Sequence, residues 1–264
     1  MSNFYKDLKS EWAKSSPNLS RCGQLLDSLK LDMARVSFVG VQSKLAMPPK
    51  QKQELQLSRD MLEIAIEHSI KIKDNAAFER YMTQLKTYYY DFDKLLDCSP
   101  QMYKYMGLQL LYLLATNRIA DFHIELERLP SALLLQNAFI SPVLALENYF
   151  MEGRYNKILQ AKKSMPSELY ANFMDLLVST ARDEIASCME KSYTKLAPKV
   201  AANRLGLKLG SSELQALVAK RKWTLDAEGN YNYAELHIRQ RERVPANDIA
   251  GNTLTYAQEL EKIV

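Results

Sequence analysis

Apolar residues recur through the first two thirds of the chain at three- and four-residue steps. Leu19, Cys22, Leu26, Leu29 and Met33 fall on one stripe of a helix. A break follows at Met47-Pro48-Pro49, where proline cannot continue a helix. The spacing then predicts a helix from about Gln53 to Ile72, with Leu55, Leu62, Ala65 and Ile66 turned inward. The clearest pattern spans Asn75 to Leu96, where Phe78, Tyr81, Met82, Leu85, Tyr88, Tyr89, Phe92, Leu95 and Leu96 share one helical face. A strand would divide that set between two sides. Asp97-Cys98-Ser99-Pro100 closes it, and the next stretch, Gln101 to Thr116, is apolar nearly all round, which predicts a central helix. Shorter helices are expected near Ile119 to Arg128 and Ser141 to Met151.

Gly153 suits the left-handed residue that closes a helix, and Tyr155, Ile158 and Leu159 open a short one after it. Met165-Pro166-Ser167 ends that helix. A long helix from Glu168 to about Tyr193 then buries Tyr170, Phe173, Met174, Leu177, Ala181 and Ile185. Helix after helix with short connections predicts a mainly α fold over residues 1–165, a right-handed α-solenoid of TPR-like helical hairpins without a strict 34-residue signature.

The last third changes character. Pro198 fits the first turn of a helix reaching Leu205, which Gly206 ends; Leu207-Lys208-Leu209-Gly210 makes a tight turn. Ser212 and Gln215 form a capping box for a helix up to Lys222. Trp223-Thr224-Leu225-Asp226 and Tyr231-Asn232-Tyr233-Ala234 then alternate like strands about the turn Ala227-Glu228-Gly229-Asn230. Tyr231 and Tyr233 are expected to share a face, as are Trp223 and Leu225. Two helices and a hairpin make a winged helix. Residues 237–252, polar and carrying Pro245 and Gly251, read as a linker. Residues 253–264 read as a terminal helix with Tyr256, Leu260 and Ile263 on one stripe, widened by Leu254, Ala257 and Val264.

Composition supports helix: glycine accounts for 8 of 264 residues, and Leu, Ala, Lys, Gln and Glu are plentiful. The formal charge of +4 is too small to argue for nucleic acid by itself. Cys22, Cys98 and Cys188 are widely spaced, which predicts buried thiols in a reducing compartment. Neither a signal-peptide core nor an apolar run of about 20 residues is present, so a soluble protein of cytoplasm and nucleus is expected.

A helical solenoid leading into a winged helix and a terminal helix resembles the PCI family, and in particular the PCI subunits of the lid of the proteasome regulatory particle. The resemblance rests on Glu147-Asn148-Tyr149-Phe150-Met151-Glu152-Gly153-Arg154-Tyr155-Asn156-Lys157 and on Arg182-Asp183-Glu184-Ile185-Ala186-Ser187-Cys188-Met189-Glu190-Lys191-Ser192-Tyr193. It rests also on the ending Tyr256-Ala257-Gln258-Glu259-Leu260-Glu261-Lys262-Ile263-Val264, and it is strongest from about Asn137 onward. It implies that 166–236 is the winged-helix part of a PCI domain and 253–264 a helix of a shared inter-subunit bundle. It also implies a non-catalytic scaffold that supports lid assembly and ubiquitin-dependent proteolysis, with other PCI-domain lid subunits as partners. A PCI subunit of a related scaffold, the signalosome or the translation initiation factor three complex, is the alternative.

The residues themselves weigh against other classes. Between 195 and 222, Lys195, Lys199, Arg204, Lys208, Lys220, Arg221 and Lys222 stand against one acid, Glu213, a basic patch of the kind phosphate contacts need. Yet the N-terminal half of the would-be recognition helix offers Ser211, Ser212, Glu213 and Gln215, so a partner-facing surface is favoured over a specific nucleic-acid binder. His68, His123 and His237 form no paired-histidine metal motif, and there is no phosphate loop or Gly-x-Ser-x-Gly elbow. Glu152 and Glu184 read as surface or capping carboxylates. No enzymatic activity, cofactor, metal, membrane or small-molecule substrate is therefore expected. The candidate interaction residues are Trp223, Tyr231 and Tyr233 on the hairpin, whose edge strand a neighbour could extend. On the terminal helix they are Leu254, Tyr256, Leu260, Ile263 and Val264.

Overall fold

The computed structural model describes residues 2–12, 14, 18–35, 49–92, 96–97, 99–130, 134, 136–161, 165–226, 229–233 and 245–262. Leu95, Cys98, His237, Ile263 and Val264 lie outside them. The chain divides by its internal contacts into two compact units, Met1–Asp183 and Glu184–Val264.

The first unit holds α1 (Ser2–Trp12), α2 (Leu19–Arg35), α3 (Pro49–Ile72), α4 (Asn75–Tyr90), α5 (Met102–Ala115), α6 (Ile119–Glu127), α7 (Ser141–Met151), α8 (Tyr155–Ala161) and the larger part of α9 (Tyr170–Ser192). Neighbours in sequence pack together: α1 with α2, α2 with α3, α3 with α4, α5 with α6 and α7 with α8. The stripes read from the sequence are the core: Cys22, Leu26, Leu62, Ile66, Phe78, Met82, Leu85, Tyr88 and Tyr89 are all buried in one cluster. In α5 every residue from Tyr105 to Ala115 is buried, as its all-round apolarity requires. Helix α4 stops at Tyr90, earlier than the periodicity predicts, although Phe92 and Leu96 stay buried beyond its end.

The connections share a mechanism. Lys73 (φ 65°), Asn117 (φ 59°) and Gly153 (φ 69°) adopt the left-handed conformation just past α3, α5 and α7. After each, the next amide reaches back five residues to a last-turn carbonyl: Asp74 N–H to Ser69, Arg118 N–H to Leu113 and Arg154 N–H to Tyr149. Asp74 then caps α4 through its carboxylate, which accepts from Ala77 N–H at 3.0 Å. Two residues thus close one helix and open the next.

Three buried or half-buried carboxylates tie the helices laterally. Glu67 on α3 accepts from Trp12 Nε1 (3.1 Å), Lys104 Nζ (2.6 Å) and the Tyr105 hydroxyl (3.1 Å), joining α1 and α5 to α3. Glu63, one turn earlier, accepts from Tyr89 (2.8 Å) and Ser99 (2.7 Å). Glu125 on α6 takes Lys86 of α4 at 2.6 Å. Helix α9 closes the unit with Tyr170, Phe173, Met174, Leu177 and Ala181 in the same core. It also bonds outward: Asn172 donates to Ile70 O at 2.8 Å and Thr180 to Ala115 O at 2.6 Å.

The second unit begins inside α9, after Asp183. It contains the rest of α9, β1 (Lys195–Leu196), α10 (Pro198–Leu205), α11 (Ser212–Arg221), β2 (Thr224–Leu225), β3 (Tyr231–Asn232) and α12 (Ala246–Glu261). Two corrections concern helix starts. The residue that caps α11 is Ser211, whose hydroxyl accepts from Leu214 N–H at 3.3 Å, so Ser212 is already the first helical residue and no box with Gln215 forms. Helix α12 starts at Ala246 and not at 253: Pro245 sits at its N-terminal boundary, and Gly251 is carried within it at a cost of about 1 kcal/mol relative to alanine. Cys188 is exposed, contrary to the expectation of buried thiols; Cys22 is buried.

Candidate protein-interaction surfaces

The second unit is built on a three-stranded antiparallel sheet in the order β1-β3-β2. The two-residue strand β1 has no alternation to reveal it in the sequence, yet it converts the expected hairpin into a sheet with β3 at its centre. The register sets Thr224 and Leu225 of β2 opposite Asn232 and Tyr231, and Lys195 and Leu196 of β1 opposite the same pair. Asp226 O accepts from Gly229 N–H at 2.8 Å to turn the wing, with Gly229 at φ 74°.

One face of this sheet is the core of the unit. Trp223 lies 5.4 Å from the Tyr231 ring and 5.3 Å, edge-on, from Tyr233. All three are buried with Ala186, Met189, Ala201, Ala202, Leu205 and Leu214. Trp223 Nε1 donates to Glu190 of α9 at 2.7 Å, and Arg221 approaches the other oxygen of that carboxylate at 3.4 Å. Burial, with Tyr231 and the Glu190 charge nearby, pushes the Tyr233 hydroxyl up to about 12. The aromatic residues chosen from the sequence therefore share a face that is turned into their own unit. Leu225 departs from the expectation that it shares Trp223's environment: it stands opposite Tyr231 but is 64% exposed. Among the described residues β2 is an outer strand of the sheet, with Thr224 and Leu225 both exposed.

Helix α10 ends at Gly206 (φ 64°) and α11 at Lys222 (φ 55°), again with an amide reaching back five residues: Leu207 to Ala202 and Trp223 to Val218. The basic patch is partly neutralised: Lys195 pairs with Asp226 and Arg221 with Glu190. Lys199, Arg204, Lys208 and Lys222 are exposed.

The second surface is α12. None of its described residues is buried. Leu254 and Tyr256 are each 67% exposed and Leu260 47%. Ile249, read from the sequence as linker, is exposed too, and its spacing of seven to Tyr256 and eleven to Leu260 puts it on their stripe. That heptad-like step was the signal for a longer helix. Among the described residues these apolar side chains stay exposed on a 16-residue helix, and such a helix is marginal alone in water. Thr253 and Thr255 turn their hydroxyls back to the carbonyls of Ile249 and Gly251.

Among the described residues no group of histidine, cysteine and acidic side chains could hold a metal, and no helix is long and apolar enough to cross a membrane. His68 is engaged with Leu19 O at 2.9 Å, and His123 stands 3.7 Å from Glu147. Glu152 pairs with Arg154 at 2.8 Å.

Comparison with known proteins agrees with this architecture. Residues 100–242 match the family described as CSN8/PSMD8/EIF3K. The chain is 37% identical to the 26S proteasome non-ATPase regulatory subunit 8 homolog A of Arabidopsis thaliana, over 100% of this chain and 97% of that one. It is 33% identical to the 26S proteasome non-ATPase regulatory subunit 8 of Caenorhabditis elegans, over the whole of both. It is 32% identical to the 26S proteasome regulatory subunit rpn12 of Schizosaccharomyces pombe, over 77% of this chain and 72% of that one.

Proposed function

This chain belongs to the CSN8/PSMD8/EIF3K family, and from that premise we propose that it is a non-catalytic structural subunit of the lid of the proteasome regulatory particle, acting in cytoplasm and nucleus. Family membership alone leaves three scaffolds open; the end-to-end similarity to proteasomal regulatory subunits selects among them. The observation that carries the mechanism is α12, a helix whose apolar stripe is left in solvent.

The scaffold reading assigns each element a task. The winged helix presents the β2 edge, to which a strand of a neighbouring PCI subunit adds by backbone hydrogen bonds; Trp223, Tyr231 and Tyr233 hold that edge flat from behind. Helix α12 docks through Ile249, Leu254, Tyr256 and Leu260 into an inter-subunit helical bundle, continued by Ile263 and Val264. Each apolar side chain buried there contributes on the order of 1.5–3 kcal/mol.

Affinity purification of the tagged chain with mass spectrometry tests the assignment. Co-purification of proteasomal ATPases and other lid subunits is the expected result; recovery of signalosome or initiation factor three subunits instead would refute it. Crosslinks from residues 223–226 to a neighbouring PCI subunit are expected in the assembled lid, and their absence would remove the strand-addition step.

A further inference from the structure

Helix α12 carries a finer pattern than an exposed stripe. Ile249, Thr253, Tyr256 and Leu260 follow one another at steps of four, three and four, the seam spacing of a coiled coil. Ala250 and Ala257 run along one side of that seam, and Asn252 and Glu259 along the other. All eight residues are exposed. Thr253 interrupts the apolar seam, but its hydroxyl donates to Ile249 O at 2.7 Å. That donor is satisfied within the helix, so the threonine can enter an apolar layer without losing a hydrogen bond.

The seam is complementary to its own reverse. Laid antiparallel on a copy of itself, with the midpoint between Leu254 and Thr255, Ile249 meets Leu260 of the second copy and Thr253 meets Tyr256. The same two layers recur by symmetry, so every large seam residue has a smaller or flexible one opposite. The alanine sides then face each other and let the helices approach closely. On the other flank Asn252 faces Glu259 of the second copy, an amide donor against a carboxylate in place of two like charges. Glu259 is further balanced by Lys262 of its own helix at 2.6 Å. A parallel pair would instead set Thr253 on Thr253 and Tyr256 on Tyr256, with the two helix dipoles pointing the same way.

We propose that the free protein pairs with a second copy of itself through α12, the two helices running antiparallel. Four seam residues per copy make a small interface, so the pairing is weak and reversible. It covers in the free subunit the same stripe that the inter-subunit bundle takes in the lid, and only that consequence rests on the scaffold reading.

Sedimentation equilibrium of the full chain should show a monomer–dimer equilibrium with a dissociation constant on the order of 10–100 μM. Leu260→Asp places a charge opposite Ile249 of the second copy and should weaken the dimer at least about tenfold. A chain still monomeric at about 1 mM overturns the pairing. A dimer unchanged by Leu260→Asp overturns it too, because another surface would then hold the copies together. Direction is read with a diazirine-bearing leucine analogue at position 260. Insertion around Ile249 of the second copy is expected, and insertion around Leu260 of the second copy overturns the antiparallel register. These outcomes leave the scaffold reading untouched; affinity purification decides that separately.

Discussion

Gly107 of α5 lies directly against Tyr170 of α9: a β-carbon at 107 would collide with the Tyr170 hydroxyl and stand 2.8 Å from the Phe139 carbonyl oxygen. That hydroxyl sits 3.2 Å from Lys104 O and 3.4 Å from Phe139 O, so the glycine makes room for the contact that closes the first unit. Gly107→Ala should destabilise the protein by about 1–3 kcal/mol, as overpacking does. Urea unfolding measures this directly. Tyr170→Phe in the same chain should recover part of the loss, because it removes the atom that collides; strictly additive losses would show that the two sites do not interact.

Leu260→Asp should leave the free protein's stability within about 0.5 kcal/mol, because Leu260 is exposed. It should weaken association with the lid by at least about tenfold, read by binding of the purified subunit to lid lacking it. Ile249→Asp, one turn into a segment first read as linker, should do the same. Unfolding of either free variant would mean that α12 packs on its own chain.

Glu63 and Glu67 lie one turn apart on α3 and titrate in opposite senses. Burial dominates at Glu63 and pushes it up despite the hydrogen bonds from Ser99 and Tyr89. At Glu67 burial acts in the same direction but is overcome by Lys104, Trp12 and Tyr105, which hold the carboxyl below its usual range. A depressed carboxyl contributes stability above its unfolded pKa and loses it as pH falls through the folded one. Glu67→Gln should therefore cost on the order of 1.5–3 kcal/mol at neutral pH, the worth of hydrogen bonds to a charge. That cost should vanish in acid, below the ordinary carboxylate range. A raised carboxyl behaves in reverse, so Glu63→Gln should cost less at neutral pH than Glu67→Gln. Thermal melts of both variants from pH 3 to 8 decide it.

Lys222 holds φ 55° with an exposed side chain, a conformation that L-residues adopt at a cost and glycine does not. Lys222→Gly should raise the stability of the second unit by about 0.5–1 kcal/mol, and Lys222→Val should lower it. Calorimetry of the two variants separates them in sign.

Long helices were legible because their apolar spacing is enforced by a core: α3, α5 and α9 begin or end within a few residues of their expected limits. Glycine closures at Gly153 and Gly206 were legible for the same kind of reason, since glycine announces positive φ. The equivalent closures at Lys73, Asn117 and Lys222 carry no such mark; only the surrounding hydrogen bonds force them. Adjacent serines hid the cap of α11, because either side chain suits it and the backbone alone chooses Ser211. Pro245 and Gly251 were read as breakers, though one borders a helix and the other is tolerated within it. At the hairpin, period-two aromatics showed that Tyr231 and Tyr233 share a face. Pattern alone does not say whether such a face meets its own helices or another chain, and here it meets its own.

Helix α9 supplies Tyr170 to Ala181 to one core and Ala186 and Met189 to the other. A fragment cut at the proline connection near residue 166 would lose side chains that complete the first core, and should be produced insoluble. Any attempt to study the halves separately has to cut within a continuous helix, after Asp183, and cap the exposed turn.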